Sequence, residues 1–115
     1  MAEIKKLPAV FYSTAGGNEP VREWLKTLDA AERKIVGQGI AIAEFGWPVG
    51  MPVCRSMGDG LYEIRSDLAS HRIARVIFCV AEQHMVLLHG FIKKTPKTPQ
   101  SDLGLARKRK KEVTS

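Results

Sequence analysis

The stretch VCRSMGDGLYEIRSDLASHRIARVIFCVAEQHMVLLHGFI, running from Val53 to Ile92, decides the fold. Its short runs of β-branched and aromatic residues are separated by turn residues, the pattern of an antiparallel meander. Gly58-Asp59-Gly60 breaks the chain between VCRSM and LYEIRSD, and a second break precedes RIARVIFCVAE. The last two runs, RIARVIFCVAE and HMVLLHGFI, are nearly continuous in apolar residues and are predicted to be central strands.

Upstream, PAVFYS (residues 8–13) reads as a short strand ended by Thr14-Ala15-Gly16-Gly17-Asn18. Asn18 or Glu19 then caps a helix whose first turn accepts Pro20, with Val21, Trp24, Leu25 and Leu28 at helical spacing. A second helix is expected from the cap Asp29 to Phe45, with Ile35, Ile40 and Ile42 among its buried positions. Gly37 and Gly39 each weaken it by about 1 kcal/mol relative to Ala. Gly46-Trp47-Pro48 ends it, and Gly50 and Pro52 continue an irregular connection. Trp24 and Trp47 read as anchors between the helices and the sheet. Downstream, Lys93-Lys94-Thr95-Pro96-Lys97-Thr98-Pro99 is a basic loop, and SDLGLARKRKKEV forms a terminal helix with Ser101 or Asp102 near its N-cap.

The order strand, two helices, four strands, helix specifies an α+β domain, with the helical pair on one face of a mainly antiparallel twisted sheet and the other face partly open. An open concave face beside basic residues suits RNA. The 115 residues make one domain, of which about 100–115 is the basic C-terminal helix and tail.

Hydrophobic residues at 44% and charged residues at 26% are ordinary for a folded globular chain. The formal charge of +6 is unevenly placed. Residues 1–53 carry six Lys or Arg against six Asp or Glu, and residues 54–115 carry twelve against six, so the whole excess lies in the second part. That part is expected to face a polyanion, although charge alone does not separate catalysis from binding. Cys54 and Cys79 lack metal-ligand spacing and sit in apolar runs, as small buried residues of a reducing compartment do. MAEIKKLPAVF lacks the apolar centre of a signal peptide, and no stretch has a membrane span's length of apolar residues, so a cytoplasmic protein is expected.

No glycine-rich phosphate loop followed by Lys-Ser or Lys-Thr, GxSxG elbow, HExxH or paired CxxC occurs, which argues against metal and nucleotide hydrolysis and against a cofactor. What remains is a set of cations at strand positions: Arg65 ending LYEIR, Arg72 and Arg75 opening RIARVIF, and Lys93 and Lys94 just beyond HGFI. Alternation puts Glu63 with Arg65, Ile73 with Arg75 and Ile77, and His89 with Phe91 and Lys93, while Leu88, Gly90 and Ile92 point the other way. Arg75 stands among apolar neighbours, where a charge is costly without a partner or a ligand phosphate.

The succession LYEIR, RVIFCV and VLLHGFIKKTPKTP followed by a basic helix resembles the phage-derived Gp49-like branch of the HigB/RelE toxin superfamily, from about Ala9 to Lys111. HGFIKKTPKTP is its most specific part. The resemblance implies a RelE-like fold and a toxin of a type II toxin–antitoxin pair, a ribosome-dependent mRNA endoribonuclease that inhibits translation. It also implies a helix-turn-helix, HigA-like antitoxin as partner, with mRNA and ribosomal RNA as targets.

RNA cleavage by 2′-hydroxyl attack needs a base, an acid and cations for the transition state, and no metal. By similarity, the superfamily's strand arginines fall on Arg75 and Arg65 and its late basic cluster on Lys93 and Lys94. Arg75 and Arg65 would hold the scissile phosphate, Lys93 or Lys94 would stabilise developing charge, and His89 is the candidate acid or base. Phe91 is the candidate for stacking on a base, with Arg72, Lys97, Arg107 and Lys108 as further substrate contacts. Many such ribonucleases place a Tyr or His near the chain end, whereas here His84 and His89 are the last histidines, so the acid and base stay open between His89 and a lysine. Alternatives on the same residues are a ParE-like inhibitor of DNA gyrase and a noncatalytic RNA-binding or regulatory module.

Overall fold

A computed structural model describes residues 4–48, 50 and 53–114. Pro52, expected in the irregular connection, lies outside them. Strand β1 (Ala9–Phe11) precedes helices α1 (Pro20–Thr27) and α2 (Ala30–Gly46). Strands β2 (Cys54–Gly58), β3 (Leu61–Asp67), β4 (Ile73–Ala81) and β5 (His84–Lys93) follow, then helix α3 (Gln100–Thr114). The five strands form one sheet in the order β1-β5-β4-β3-β2, with β1 parallel to β5 and every other pair antiparallel. This is the α+β arrangement expected from the sequence.

Turn chemistry fixes the meander. Gly58, Asp59 and Gly60 all take positive φ between β2 and β3, a path that glycine at two of three positions makes inexpensive. Glu82 and Gln83, with φ of 50° and 64°, form the two-residue turn that joins β4 to β5, its left-handed backbone matching the strands' twist.

The helical hairpin is tied at its turn. Asp29 caps α2 by accepting the Glu32 N–H at 2.8 Å. Arg33 donates to the carbonyls of Leu25 (3.0 Å) and Leu28 (2.8 Å), adding a second donor to the Leu25 oxygen that the Leu28 N–H already caps at the C-terminus of α1. Glu19 occupies the N-cap of α1 but forms no side-chain cap, pairing instead with Arg22 at 3.1 Å.

Helix α2 is rotated from the expected setting. Its buried residues are Val36, Gly39, Ile40, Ala43 and Glu44, while Ile35 is 38% and Ile42 52% exposed. Gly39 sets the rotation, because a Cβ there would lie 2.8 Å from Ser66 Oγ and 3.3 Å from Ile64 Cγ2 on β3. The glycine that weakens the helix locally is thus what lets it approach the sheet. Glu44 holds the N-terminal segment in place, its backbone carbonyl accepting from Lys6 and Leu7 and its carboxylate from the Ala9 N–H at 2.8 Å.

Trp47 packs edge-on against Tyr62 and Phe78, with centroids 4.9 and 5.6 Å away, and anchors the end of α2. Trp24 lies on Gly90 of β5. These contacts belong to the larger core, between the helical pair and the sheet. A second core, built on Leu61, Ile77, Cys79, Val86, Leu88, Leu103 and Ala106, lies between the opposite face and α3. That face was expected to be partly open; α3 covers its centre, because Leu103 and Ala106 give the basic helix an apolar side to bury. Both cysteines are buried and free, and burial raises their thiol pKa values.

A Cβ at Gly90 would fall 2.3 Å from a Trp24 ring carbon, so Gly90→Ala is expected to destabilise the protein by about 1–3 kcal/mol through overpacking. Gly37→Ala, in a helix with nothing within 4 Å of the added methyl, should instead stabilise by about 1 kcal/mol. Urea denaturation of the two variants measures both.

Candidate active site

The face toward α3 is a grid of cross-strand rows. Its rows across β3, β4 and β5 are Asp67–Ile73–Lys93, Arg65–Arg75–Phe91, Glu63–Ile77–His89 and Leu61–Cys79–Val86. Charged and titratable side chains fill one end, and the apolar residues that seat α3 fill the other.

Arg75 is fully buried, as is Glu63 one row away. Arg75 donates from Nη2 to the Thr95 carbonyl, and Thr98 donates its hydroxyl to Glu63 Oε2. Two residues of the KKTPKTP loop are therefore fastened to two charges on the sheet. Arg75 Nε lies 3.8 Å and Arg65 Nε 3.9 Å from Glu63 Oε1, too far for hydrogen bonds but near enough for strong Coulombic attraction in a low-dielectric interior. Among the described residues, Glu63 Oε1 and Arg75 Nε and Nη1 have no hydrogen-bond partner. Burial pulls the pKa of Arg75 below its ordinary value and Glu63 pushes it back up, a guanidinium held inside by one carboxylate.

Beside this cluster, His89 Nε2 lies 2.7 Å from Asp102 Oδ1, in the first turn of α3. The His89 ring stacks on Phe91 with centroids 5.3 Å apart, and the Arg75 guanidinium lies 5.9 Å from the Phe91 ring centre. Leu88 and His89 both face α3, contrary to strict alternation, because the pairing with β4 shifts between Ile77 and Phe78 and leaves Leu88 as an extra residue.

Of the sequence candidates, the fold brings together Arg65, Arg75, His89 and Phe91, with Lys93 one row further out. Arg65, with 19% of its side chain exposed, and the exposed Lys93, Lys94 and Lys97 are accessible. Arg75 is not: the loop above it bars contact with a phosphate in this conformation, so it shapes the site from beneath. Phe91 is also buried, and its ring stacks on His89. Arg72 points to the opposite face, where it pairs with Glu32 of α2. Arg107 binds Asp59 at 3.2 Å at the far end of β3, and Lys108 is exposed on α3.

Sequence reasoning did not single out Glu63, Thr98 or Asp102 as site residues. Glu63 had a signal in its alternation with Arg65, but its pairing with Arg75 needs the β3–β4 register. Asp102 is 13 residues from His89 with a loop between them, so no spacing rule joins the two. Tyr12, Arg109 and Glu112 were missed as well. Arg109 donates to the Leu88 carbonyl at 2.8 Å and lies 5.4 Å from the Tyr12 ring centre, while Tyr12 donates to Glu112, and together they dock the far end of α3.

A five-stranded sheet with a helical hairpin on one face, a basic helix on the other and cations gathered at one end is consistent with the RelE-like class of α+β protein. The chain belongs to the phage-derived Gp49-like (DUF891) family, whose model matches residues 23–111. This family is associated with RelE/HigB-type toxins, which assigns the chain to the toxins of toxin–antitoxin systems and implies an antitoxin partner. No curated protein matches the chain significantly. Among the described residues, no helix is long and apolar enough to cross a membrane.

Removing one member of the buried pair strands the other, so Glu63→Met should cost about 3–5 kcal/mol in urea denaturation. Adding Arg75→Met should recover much of that loss, because two apolar side chains leave no orphaned charge. Thr98→Val, which keeps the shape and removes the donor to Glu63, should cost about 1–3 kcal/mol.

Proposed function

We propose that this toxin is a ribosome-dependent mRNA endoribonuclease of the bacterial cytoplasm, held silent by a helix-turn-helix, HigA-like antitoxin. The observation that carries the reading is that accessible cations, Arg65, Lys93, Lys94 and Lys97, occupy the end rows of the sheet and the adjoining loop, on from a histidine–carboxylate pair. Arg65 and Lys93 take the scissile phosphate, and Lys94 and Lys97 the flanking backbone. Arg75 supports them from below by holding the loop that presents Lys94 and Lys97. His89 serves proton transfer, and Lys108 adds sequence-blind contacts to ribosomal RNA.

The chemistry needs only groups of these kinds. The 2′-hydroxyl oxygen bonds to phosphorus as its proton passes to a base, and the P–O5′ bond breaks as the leaving oxygen gains a proton. The products are a 2′,3′-cyclic phosphate and a 5′-hydroxyl end. Cations beside the phosphate stabilise the charge that builds on its oxygens.

The test is to induce the chain in a sensitive bacterium and sequence RNA bearing 5′-hydroxyl ends. New ends inside translated codons are expected, and Arg65→Ala or Lys93→Ala should reduce cleavage on purified translating ribosomes about 10²–10³-fold while the circular dichroism spectrum is kept. DNA damage without new RNA ends would point to gyrase inhibition instead, and unimpaired growth to a noncatalytic RNA-binding module.

A further inference from the structure

Asp102, like Glu63 and Thr98, belongs to the site although neither the sequence nor the family match singled it out as a site residue. We infer that it is a positioning residue for His89: by accepting the Nε2–H bond it fixes the imidazole tautomer that leaves Nδ1 as the proton acceptor. The inference rests on the ribonuclease reading for its consequence and on geometry for its substance. The 2.7 Å contact is short enough for a charge-assisted hydrogen bond, and both side chains are only 16% exposed, so solvent competes weakly for it.

Two further observations favour this role over a mere pin for the helix. The first is the bulge on β5. Under strict alternation, seating Leu88 beneath α3 would turn His89 toward the helical hairpin. The extra residue puts both on the same face, where Leu88 fills the second core and His89 meets Asp102. Bulges that re-aim a side chain gather beside active sites.

The second is that α3 needs no additional pin. Burial of Leu103 alone is worth about 1.5–3 kcal/mol. The helix is held as well by Ala106, by Arg109 on the Leu88 carbonyl, by Tyr12 on Glu112 and by Arg107 on Asp59. The His89–Asp102 contact is thus one of several that dock the helix, and not the one on which its docking depends. What the pair does alter is the histidine, whose ring has one face on Phe91 and one nitrogen on Asp102, leaving little freedom of orientation.

In the proposed reaction, Nδ1 takes the proton of the 2′-hydroxyl as the O2′–P bond forms and the P–O5′ bond breaks. The departing 5′-oxygen takes a proton from water, and the hydroxide so formed is neutralised by the imidazolium, which returns His89 to its starting state. Asp102 stays ionised throughout and stabilises the imidazolium.

The experiment compares wild type, Asp102→Asn, Asp102→Glu, His89→Ala and the Asp102→Asn/His89→Ala double variant. Readouts are mRNA cleavage on purified translating ribosomes and the imidazole nitrogen shifts of His89 by NMR. An asparagine can donate to Nε2, which moves the ring proton to Nδ1. Asp102→Asn should therefore lower kcat about 10²-fold or more with little change in KM, shift the His89 tautomer, and have no further effect in the His89→Ala background. Asp102→Glu, which keeps the carboxylate, should retain most of the activity. An unchanged tautomer, or losses that multiply in the double variant, would overturn the inference. If wild type cleaves nothing, the ribonuclease reading fails, and the tautomer comparison still decides whether Asp102 sets the histidine.

Discussion

Everything on the functional side of this molecule depends on a guanidinium buried where none is comfortable. Arg75 sits in the central strand with no exposed surface, faces Glu63 across a 3.8 Å gap, and leaves two of its nitrogens without hydrogen bonds. By ordinary accounting such a pair is a net cost against apolar residues of the same size. Its value lies in what it organises. The Thr95 carbonyl satisfies the one arginine nitrogen that is bonded, and the Thr98 hydroxyl satisfies one glutamate oxygen. The loop leading into α3 thus satisfies part of what the buried pair lacks, and the loop's path is fixed by it.

From that constraint the rest of the site follows. A loop held at Thr95 and Thr98 delivers α3 so that Asp102 meets His89 and Leu103 and Ala106 drop into the second core. It also leaves Lys93, Lys94 and Lys97 exposed around the site. The KKTPKTP segment, the most specific part of the family resemblance, therefore carries two kinds of residue. Its threonines fasten the loop and its lysines face outward. The face expected to be an open RNA-binding surface is roofed, and its accessible part is the last two rows, which carry Arg65 and Lys93.

Much of the architecture was legible in the sequence because it rests on local signals. The period-two runs, the Gly58-Asp59-Gly60 turn, the Asp29 cap and the Gly46-Trp47 stop each act within a few residues, and the elements formed where those signals stand. What was not legible depends on register and packing. Ile35 and Ile42 look buried by composition, yet the close approach at Gly39 turns them outward. The bulge at Leu88 reverses an alternation that sequence can only assume. Arg75 was rightly suspicious as a charge among apolar neighbours, but whether its partner was a substrate phosphate or a carboxylate on the next strand could be read only from the sheet.

The central claim is that the Glu63–Arg75 pair fastens the loop and the start of α3 to the sheet, and amide hydrogen exchange tests it most directly. Glu63→Gln keeps the side chain's shape and removes the charge that compensates Arg75, so the guanidinium gains by reaching water when the loop lifts. Exchange across residues 95–106, including the Leu103 N–H bonded to the Pro99 carbonyl, should then quicken about tenfold or more, as an opening made easier by about 1.4 kcal/mol requires. Amides in the centre of β4 should keep their protection. Unchanged exchange in the loop and helix of the variant, or equal acceleration throughout the sheet, would contradict the account.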